Sequence, residues 1–99
     1  MLADMATAIA SARSTYLDAA QRLDHDLYCG ELAAISKLSA SEAAMKATTD
    51  AVQIFGANGY TKHYPVERYM REAKVLQIVE GTNQIQRVVI SRALSKSVG

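Results

Sequence analysis

Residues 31–55 read ELAAISKLSASEAAMKATTDAVQIF, and this stretch decides the fold. Alanine and serine recur throughout it, larger apolar side chains are spaced between them, and no proline interrupts it. The pattern predicts one long helix from about Glu31 to Phe55. Because helices approach most closely where their side chains are small, we expect other helices to pack tightly against this one.

The segment before the long helix carries a second helical pattern. Its apolar residues recur at gaps of three or four, which marks one helix face held for about seven turns. They are Leu2, Met5, Ile9, Ala12, Tyr16, Ala19, Leu23 and Leu27. We expect this helix to end near Tyr28-Cys29-Gly30, where glycine can adopt a positive φ.

Two more helices are predicted after the long one. Gly56-Ala57-Asn58-Gly59-Tyr60 predicts a turn, because two glycines and an asparagine make a continuing helix costly. Tyr64-Pro65 opens a third helix, since proline suits a first helical position, and its apolar spacing continues towards Glu80. A short fourth helix is expected to begin at Thr82 or Asn83.

The helical patterns together predict an all-α fold, an antiparallel helix bundle in which all the helices are antiparallel neighbours. Residues 1–99 form one domain at most. The first helix has a long apolar face but only two partners of comparable length, whereas bundles of this length usually have about four members. We therefore expect the chain to lack a helix or to borrow one from another subunit.

Glu80-Gly81-Thr82 lies between the third and fourth helices and follows the apolar run at 75–79. A carboxylate flanked by apolar side chains can be desolvated, and a desolvated carboxylate is a stronger base. Glycine beside it allows another molecule to approach closely, and Thr82 can cap the helix that follows. On spacing alone, a helix stop and a turn without chemistry is the commoner interpretation of such a stretch.

Composition argues against several classes of function. The net charge is +1, from 11 basic and 10 acidic residues, and no polybasic run indicates nucleic acid or an anionic membrane. No apolar run reaches the ~18–20 residues that span a bilayer. The single cysteine, Cys29, cannot form an intrachain disulfide, which favours a reducing compartment. His25 and His63 are too far apart to form a helical metal pair, so no metal site is predicted.

Three stretches resemble the C-terminal helical domain of acyl-CoA dehydrogenases. They are AVQIFGANGY at 51–60, YPVERYMREAK at 64–74 and IVEGTNQIQR at 78–87, and their order and spacing also match. LADM at 2–5 is similar to the start of the family's second C-terminal helix. The resemblance therefore covers nearly the whole chain.

The resemblance implies a flavoprotein that oxidises the Cα–Cβ bond of an acyl-CoA to a trans-2-enoyl-CoA. It implies FAD as the cofactor and an electron-transfer flavoprotein as the partner. Glu80 matches the base that removes the α-proton, and the backbone N–H at that position helps to stabilise the developing enolate. Gly81 matches a substrate contact, where the missing side chain leaves room for the acyl chain.

Two groups of residues match stretches that contact flavin in the family. The first would touch the adenylate end of FAD from the neighbouring subunit and comprises Gln53, Ile54, Phe55, Gly56 and Ala57. The second opens the last helix and comprises Thr82, Asn83 and Gln84. Two departures stand out, because Ala57 lies where glycine is common in the family and Val79 lies where an aromatic residue is frequent.

Complete family members carry further domains, so we expect this chain alone to bind FAD weakly or not at all and to be inactive. The first helix of the C-terminal domain is also expected to be missing. The resemblance implies a homo-oligomer, a dimer of dimers, cytoplasmic if bacterial and in the mitochondrial matrix if eukaryotic, with the cytoplasm favoured. Two alternatives stay open: an acyl-CoA oxidase that reoxidises with oxygen, and a helical assembly module without chemistry.

Overall fold

The computed structural model describes residues 1–98, and over that range it contains helices and no strands. The helices are α1 (Leu2–Asp24), α2 (Gly30–Phe55), α3 (Val66–Leu76) and α4 (Asn83–Val98), with a 3₁₀ turn at Gly56–Tyr60. The predicted all-α bundle is confirmed. The predicted break after Phe55 is also present, and it takes the form of a single 3₁₀ segment.

The long helix α2 is the centre of the bundle, and each other helix packs against it. Over the described part of the chain, no Cα atoms of α1, α3 and α4 come within 8 Å of one another. α1 is antiparallel to α2, since Asp4 shares a groove with Asp50 and Arg22 shares one with Ile35. The result is an elongated molecule of 51 × 22 × 21 Å, set by the length of α2.

The helices α3 and α4 follow α2 one after the other rather than side by side. Leu76, at the end of α3, lines a cavity with Ala40, and α4 continues until Arg92 lies across a groove from Glu31. Both are therefore antiparallel to α2. The prediction that all the helices would be antiparallel neighbours is wrong for α3 and α4. These two helices run in the same direction along α2, one after the other, and the turn around Glu80 separates them.

The first helix ends earlier than predicted, at Asp24 rather than near Gly30. Asp26 adopts a positive φ of 55°, and two backbone bonds close the helix end. The Leu27 N–H donates to the Arg22 carbonyl (2.8 Å) and the Asp26 N–H donates to the Leu23 carbonyl (3.1 Å). This is the Schellman pattern with aspartate in the position that glycine usually takes, so the helix ends before the glycine at which its end was predicted.

The predicted lengths of the last two helices are reversed. α3 has 11 residues and ends at Leu76, whereas α4 has 16 residues and is not a short helix. The Gln77 N–H donates to the Lys74 carbonyl (3.1 Å) and the Ile78 N–H donates to the Val75 carbonyl (2.9 Å). These i→i−3 bonds tighten the last turn of α3, and the helix therefore ends before Glu80.

The buried core consists largely of small side chains. Ala12 of α1, Ala34 of α2 and Ala73 of α3 are at most 8% exposed, which confirms that small residues set the helix contacts. No large side chain among residues 1–98 is less than 2% exposed, and many large apolar residues remain exposed. The apolar faces of these helices are therefore only partly covered by the chain's own residues.

Gly59 is a position where packing requires glycine. A Cβ added there would lie 2.6 Å from the Val52 carbonyl oxygen and 2.8 Å from the Phe55 Cβ. Because neither atom can move without shifting α2, Gly59→Ala is expected to destabilise the fold by about 1–3 kcal/mol. Urea unfolding of this chain, followed by circular dichroism, measures the change.

Gly30→Ala is the matched control for that substitution. Its added Cβ would meet only the end of the Tyr28 side chain, which is 80% exposed and can swing away. The free energy of unfolding should then change by no more than about 0.5 kcal/mol. Equal losses in the two variants would contradict the packing argument at Gly59.

Candidate functional site

The turn between α3 and α4 has an unusual backbone. Glu80 has a φ of 56° and Gly81 a φ of 82°, so two consecutive residues are left-handed. For a non-glycine residue this conformation costs about 1–3 kcal/mol and persists only where its surroundings enforce it. At Gly81 glycine is required by the conformation itself, and an added Cβ would also lie 2.9 Å from the Gln86 Nε2.

Four hydrogen bonds hold this turn. The Gln86 Nε2 donates to the Glu80 carbonyl (3.1 Å) and, at longer range, to the Gly81 carbonyl (3.4 Å). The Lys37 Nζ also donates to the Gly81 carbonyl (3.0 Å). The Asn83 N–H donates to the Gln77 carbonyl (3.0 Å) and closes the loop. The backbone on both sides of the Glu80 side chain is thus tied to α2 and α4.

The side chain of Asn83 joins the start of α4 to α2 through hydrogen bonds. Asn83 is only 3% exposed. The Asn83 Oδ1 accepts from the Lys37 Nζ (2.7 Å), while its Nδ2 donates to the Ser41 Oγ (2.9 Å) and to the Glu42 Oε1 (2.8 Å). The Ser41 hydroxyl in turn donates to the Lys37 carbonyl (2.7 Å). This buried network is satisfied, as a polar cluster between helices must be.

The predicted cap at Thr82 is present. The Ile85 N–H donates to the Thr82 Oγ1 at 3.2 Å, three residues into the helix that follows. Asn83 belongs to the predicted flavin contacts, yet its side chain is already engaged by α2. Its contact with flavin stays a prediction, and the geometry assigns its side chain to holding the turn.

A cavity of about 270 Å³ opens beside Glu80. It is lined by Lys37, Ala40, Ser41, Leu76, Val79 and Glu80. Within the apolar run that precedes Glu80, Leu76 and Val79 line this cavity and Ile78 does not. Glu80 itself is exposed and has no ion pair among residues 1–98. The chain therefore places the carboxylate at the mouth of a cavity without enclosing it.

Several backbone donors around Glu80 are free. Over the described residues, the N–H groups of Glu80, Gly81, Thr82 and Gln84 have no hydrogen-bond acceptor. The left-handed turn and the start of α4 explain this, because neither offers these donors a carbonyl one turn back. A row of unpaired donors beside a carboxylate can bind the acceptor atoms of a ligand.

The other predicted flavin-contacting group, at 53–57, lies at the end of α2. All of its members are exposed, and Phe55 packs edge-on against Tyr64 with 5.4 Å between ring centroids. Gly56 has a φ of 65°, and an added Cβ there would meet nothing within 4 Å. Phe55 lies 14 positions beyond Ser41 on α2, about 21 Å at helical rise. The structure thus keeps the two predicted flavin-contacting groups apart within one chain.

The sequence reasoning missed the residues that hold the turn from α2. Lys37 and Ser41 are four positions apart and so lie on one face of the helix. Two polar residues on a face otherwise rich in alanine are a weak signal of an interhelical contact. Their partner is Asn83, more than forty positions away, so local periodicity could not reveal the network.

Away from the turn, an ion pair on α3 shifts the pKa of its acidic member. The Arg71 side chain donates to Glu67 at 2.7 Å, and this hydrogen bond holds the pKa of the Glu67 carboxyl below its usual value. Within residues 1–98 no three His, Cys, Asp or Glu side chains come together as metal ligands. No helix in the same range combines the length and apolar character needed to cross a bilayer.

Comparison with known proteins places this geometry in a family. The family model described as acyl-CoA dehydrogenase, C-terminal domain, matches residues 1–95. A probable acyl-CoA dehydrogenase of Mycobacterium tuberculosis, FadE25, is 58% identical over 97 residues, covering 95% of this chain and 24% of the relative. Butyryl-CoA dehydrogenase of Megasphaera elsdenii matches with a TM-score of 0.92 and 48% identity, over 94% of this chain and 24% of that chain.

A further match comes from a structure concerned with the electron transferring flavoprotein of Acidaminococcus fermentans and flavin-based electron bifurcation. One of its chains has a TM-score of 0.93 and 56% identity, over 95% of this chain and 25% of that chain. The chain described here belongs to the acyl-CoA dehydrogenase family. Within that family it corresponds to the C-terminal domain, and it spans about a quarter of the length of the relatives it matches.

Proposed function

We propose that the protein containing this chain is a FAD-dependent acyl-CoA dehydrogenase in which Glu80 removes the α-proton of the acyl thioester. The observation that carries the proposal is the left-handed turn, which places Glu80 at the mouth of a cavity beside unpaired N–H donors. Membership of the family supports the same reaction. The substrate would be an acyl-CoA, and the product its trans-2-enoyl thioester.

The chemistry proposed for Glu80 is proton transfer from carbon. The carboxylate takes the α-proton, and negative charge develops on the thioester oxygen. A preorganised N–H donor stabilises such a charge, and the Glu80 N–H is unpaired within the described residues. FAD, when bound, would supply the acceptor for the hydride that leaves Cβ, so that a carbon–carbon double bond remains. The electrons would then pass to an electron-transfer flavoprotein.

The residues present fit FAD at two places. The free N–H groups of Thr82 and Gln84 would donate to acceptor atoms of the flavin. The exposed surface at 53–57 offers a second contact, suited to the adenylate end. The family resemblance implies that this second contact is made to the FAD of a neighbouring subunit, and we adopt that assignment.

Association through the helix faces is part of the proposal. Apolar residues on α1 and α4 stay exposed, including Ile9 (57%) and Ile85 (54%). Covering such faces is favourable by about 25 cal/mol per Å² of apolar area, and other domains or subunits would provide the cover. We propose a homo-oligomeric enzyme, a dimer of dimers, located in the cytoplasm because the relatives named above are bacterial.

Anaerobic titration of the complete protein with saturated acyl-CoAs tests the proposed reaction. Short, medium and long chains should be compared, and at least one should bleach the bound flavin stoichiometrically and yield a trans-2-enoyl-CoA. A flavin that stays oxidised with every acyl-CoA would contradict the proposal. Rapid reoxidation by oxygen without an added acceptor would instead identify an oxidase.

The 99-residue chain by itself is expected to retain no flavin after purification and to show no bleaching. The physical reason is that the turn supplies only one side of the site, and Glu80 remains exposed. Flavin absorbance per mole of purified chain measures this, with the complete protein as the reference. Stoichiometric flavin on the isolated chain would refute the expectation.

A further inference from the structure

We propose that Lys37 is a positioning residue for Glu80. Its ammonium holds the Gly81 carbonyl and thereby fixes the left-handed turn that carries the carboxylate. The inference rests on the proposed function, since it concerns the aim of the same base. It adds a residue of α2, 43 positions before Glu80, to the machinery of the turn.

Lys37 connects two helices through neutral hydrogen-bond acceptors and does not form a surface ion pair. The Nζ donates to the Gly81 carbonyl at 3.0 Å and to the Asn83 Oδ1 at 2.7 Å. Within residues 1–98, no carboxylate lies within 4.0 Å of it. A charged donor on neutral acceptors makes stronger hydrogen bonds than a neutral donor does. The ammonium is therefore committed to the turn.

Lys37 reaches the turn from outside it. Gln86 also donates to the Glu80 and Gly81 carbonyls, but it belongs to α4 and lies only six positions after Glu80. Lys37 belongs to α2, against which both α3 and α4 pack, and it contacts the residue directly after Glu80. The positive φ of Glu80 is maintained only when the surroundings impose it. Lys37 links the backbone of the turn to α2, the central helix of the bundle.

Loss of this link should disturb orientation more than binding. A misplacement of about 1 Å in a reacting group can cost about 10²-fold in rate. In the complete flavin-loaded protein, Lys37→Met is expected to lower the rate constant for flavin reduction at saturating acyl-CoA by about 10- to 100-fold. The dissociation constant for acyl-CoA should change by less than about 3-fold, because removal of an interaction used for positioning lowers the rate and not the affinity.

Lys46→Met is the matched control. Lys46 lies on the same helix, but its Nζ pairs with Asp50 at 3.2 Å and its side chain is 68% exposed. Stopped-flow reduction of this variant should proceed at the wild-type rate. Reduction of the Lys37→Met protein at the wild-type rate, with normal flavin content, would overturn the proposal.

Amide hydrogen exchange gives a second measurement that does not depend on activity or on flavin. The Asn83 N–H closes the turn on Gln77, and the Tyr69 N–H on α3, which donates to the Pro65 carbonyl at 3.1 Å, serves as a distant reference. In Lys37→Met the Asn83 amide should exchange at least about 10-fold faster, while Tyr69 is unchanged. Unchanged exchange at Asn83 would overturn the positioning role even if the variant bound little flavin.

The two proposals fail in different ways. If Glu80→Gln keeps full flavin reduction, the proposed function fails whatever Lys37 does. If Glu80→Gln is inactive while Lys37→Met is as fast as wild type, only the role of Lys37 fails.

Discussion

Glu80→Gln in the complete protein is expected to reduce the rate of acyl-CoA-dependent flavin bleaching by at least about 10²-fold, with flavin still bound. A positioned general base typically contributes about 10²–10⁴-fold, and an amide cannot accept the α-proton. Glutamine matches glutamate in size and retains the backbone N–H. The Gln86 and Lys37 bonds of the turn are made to backbone carbonyls and should persist. Anaerobic stopped-flow absorbance of the flavin measures the effect.

Glu72→Gln is the control for the charge change. Glu72 is exposed on α3 and forms a surface ion pair with Arg68 at 3.7 Å. Its loss should leave bleaching within about 2-fold of wild type, since pairs of this kind contribute little. If Glu80→Gln bleached as fast as Glu72→Gln, the base would have to be another group, and the helical assembly role would be the remaining interpretation of this chain.

Asn83→Ala is expected to lower the free energy of unfolding by about 2–3 kcal/mol. The substitution removes the side chain that joins Lys37, Ser41 and Glu42 of α2 to the start of α4. Hydrogen bonds to charged groups are worth about 1.5–3 kcal/mol each, and partial access of water to Lys37 and Glu42 reduces the sum. Urea unfolding of this chain, followed by circular dichroism, gives the change.

Asn58→Ala is the matched control for the loss of an amide. Asn58 is exposed in the 3₁₀ segment, and its backbone carbonyl, not its side chain, accepts a hydrogen bond from the Thr61 Oγ1 at 2.7 Å. Its substitution should change the free energy of unfolding by no more than about 0.5 kcal/mol. Superimposable unfolding curves for the two variants would show that the buried network contributes nothing to stability.

Much of the fold could be predicted because helical periodicity is a local property. The apolar spacing of α1, the small residues of α2 and the glycines after Phe55 each depend on neighbours within a few positions. The errors arose where helix ends depend on particular backbone bonds. Asp26 replaced glycine in a helix-ending motif, and tight bonds at Gln77 and Ile78 stopped α3 early.

The residues of the candidate site also fall into those that local sequence could predict and those that it could not. Glu80, Gly81 and Thr82 could be singled out because carboxylate, glycine and capping residue are adjacent in the sequence. The cap on Ile85 was confirmed, and the role of Glu80 as a base stays a prediction with an experiment attached. Lys37 and Ser41 could not be found, since their roles come from contact with residues more than forty positions away.

Local pattern was thus sufficient to establish an all-α chain, its central helix and the family to which its motifs belong. Tertiary packing decided that α3 and α4 lie in succession along α2, and that Glu80 stands in a left-handed turn. The physical reason is that a positive φ at glutamate is unfavourable by itself. The bond from Lys37, which only the folded bundle brings to the turn, helps to maintain it.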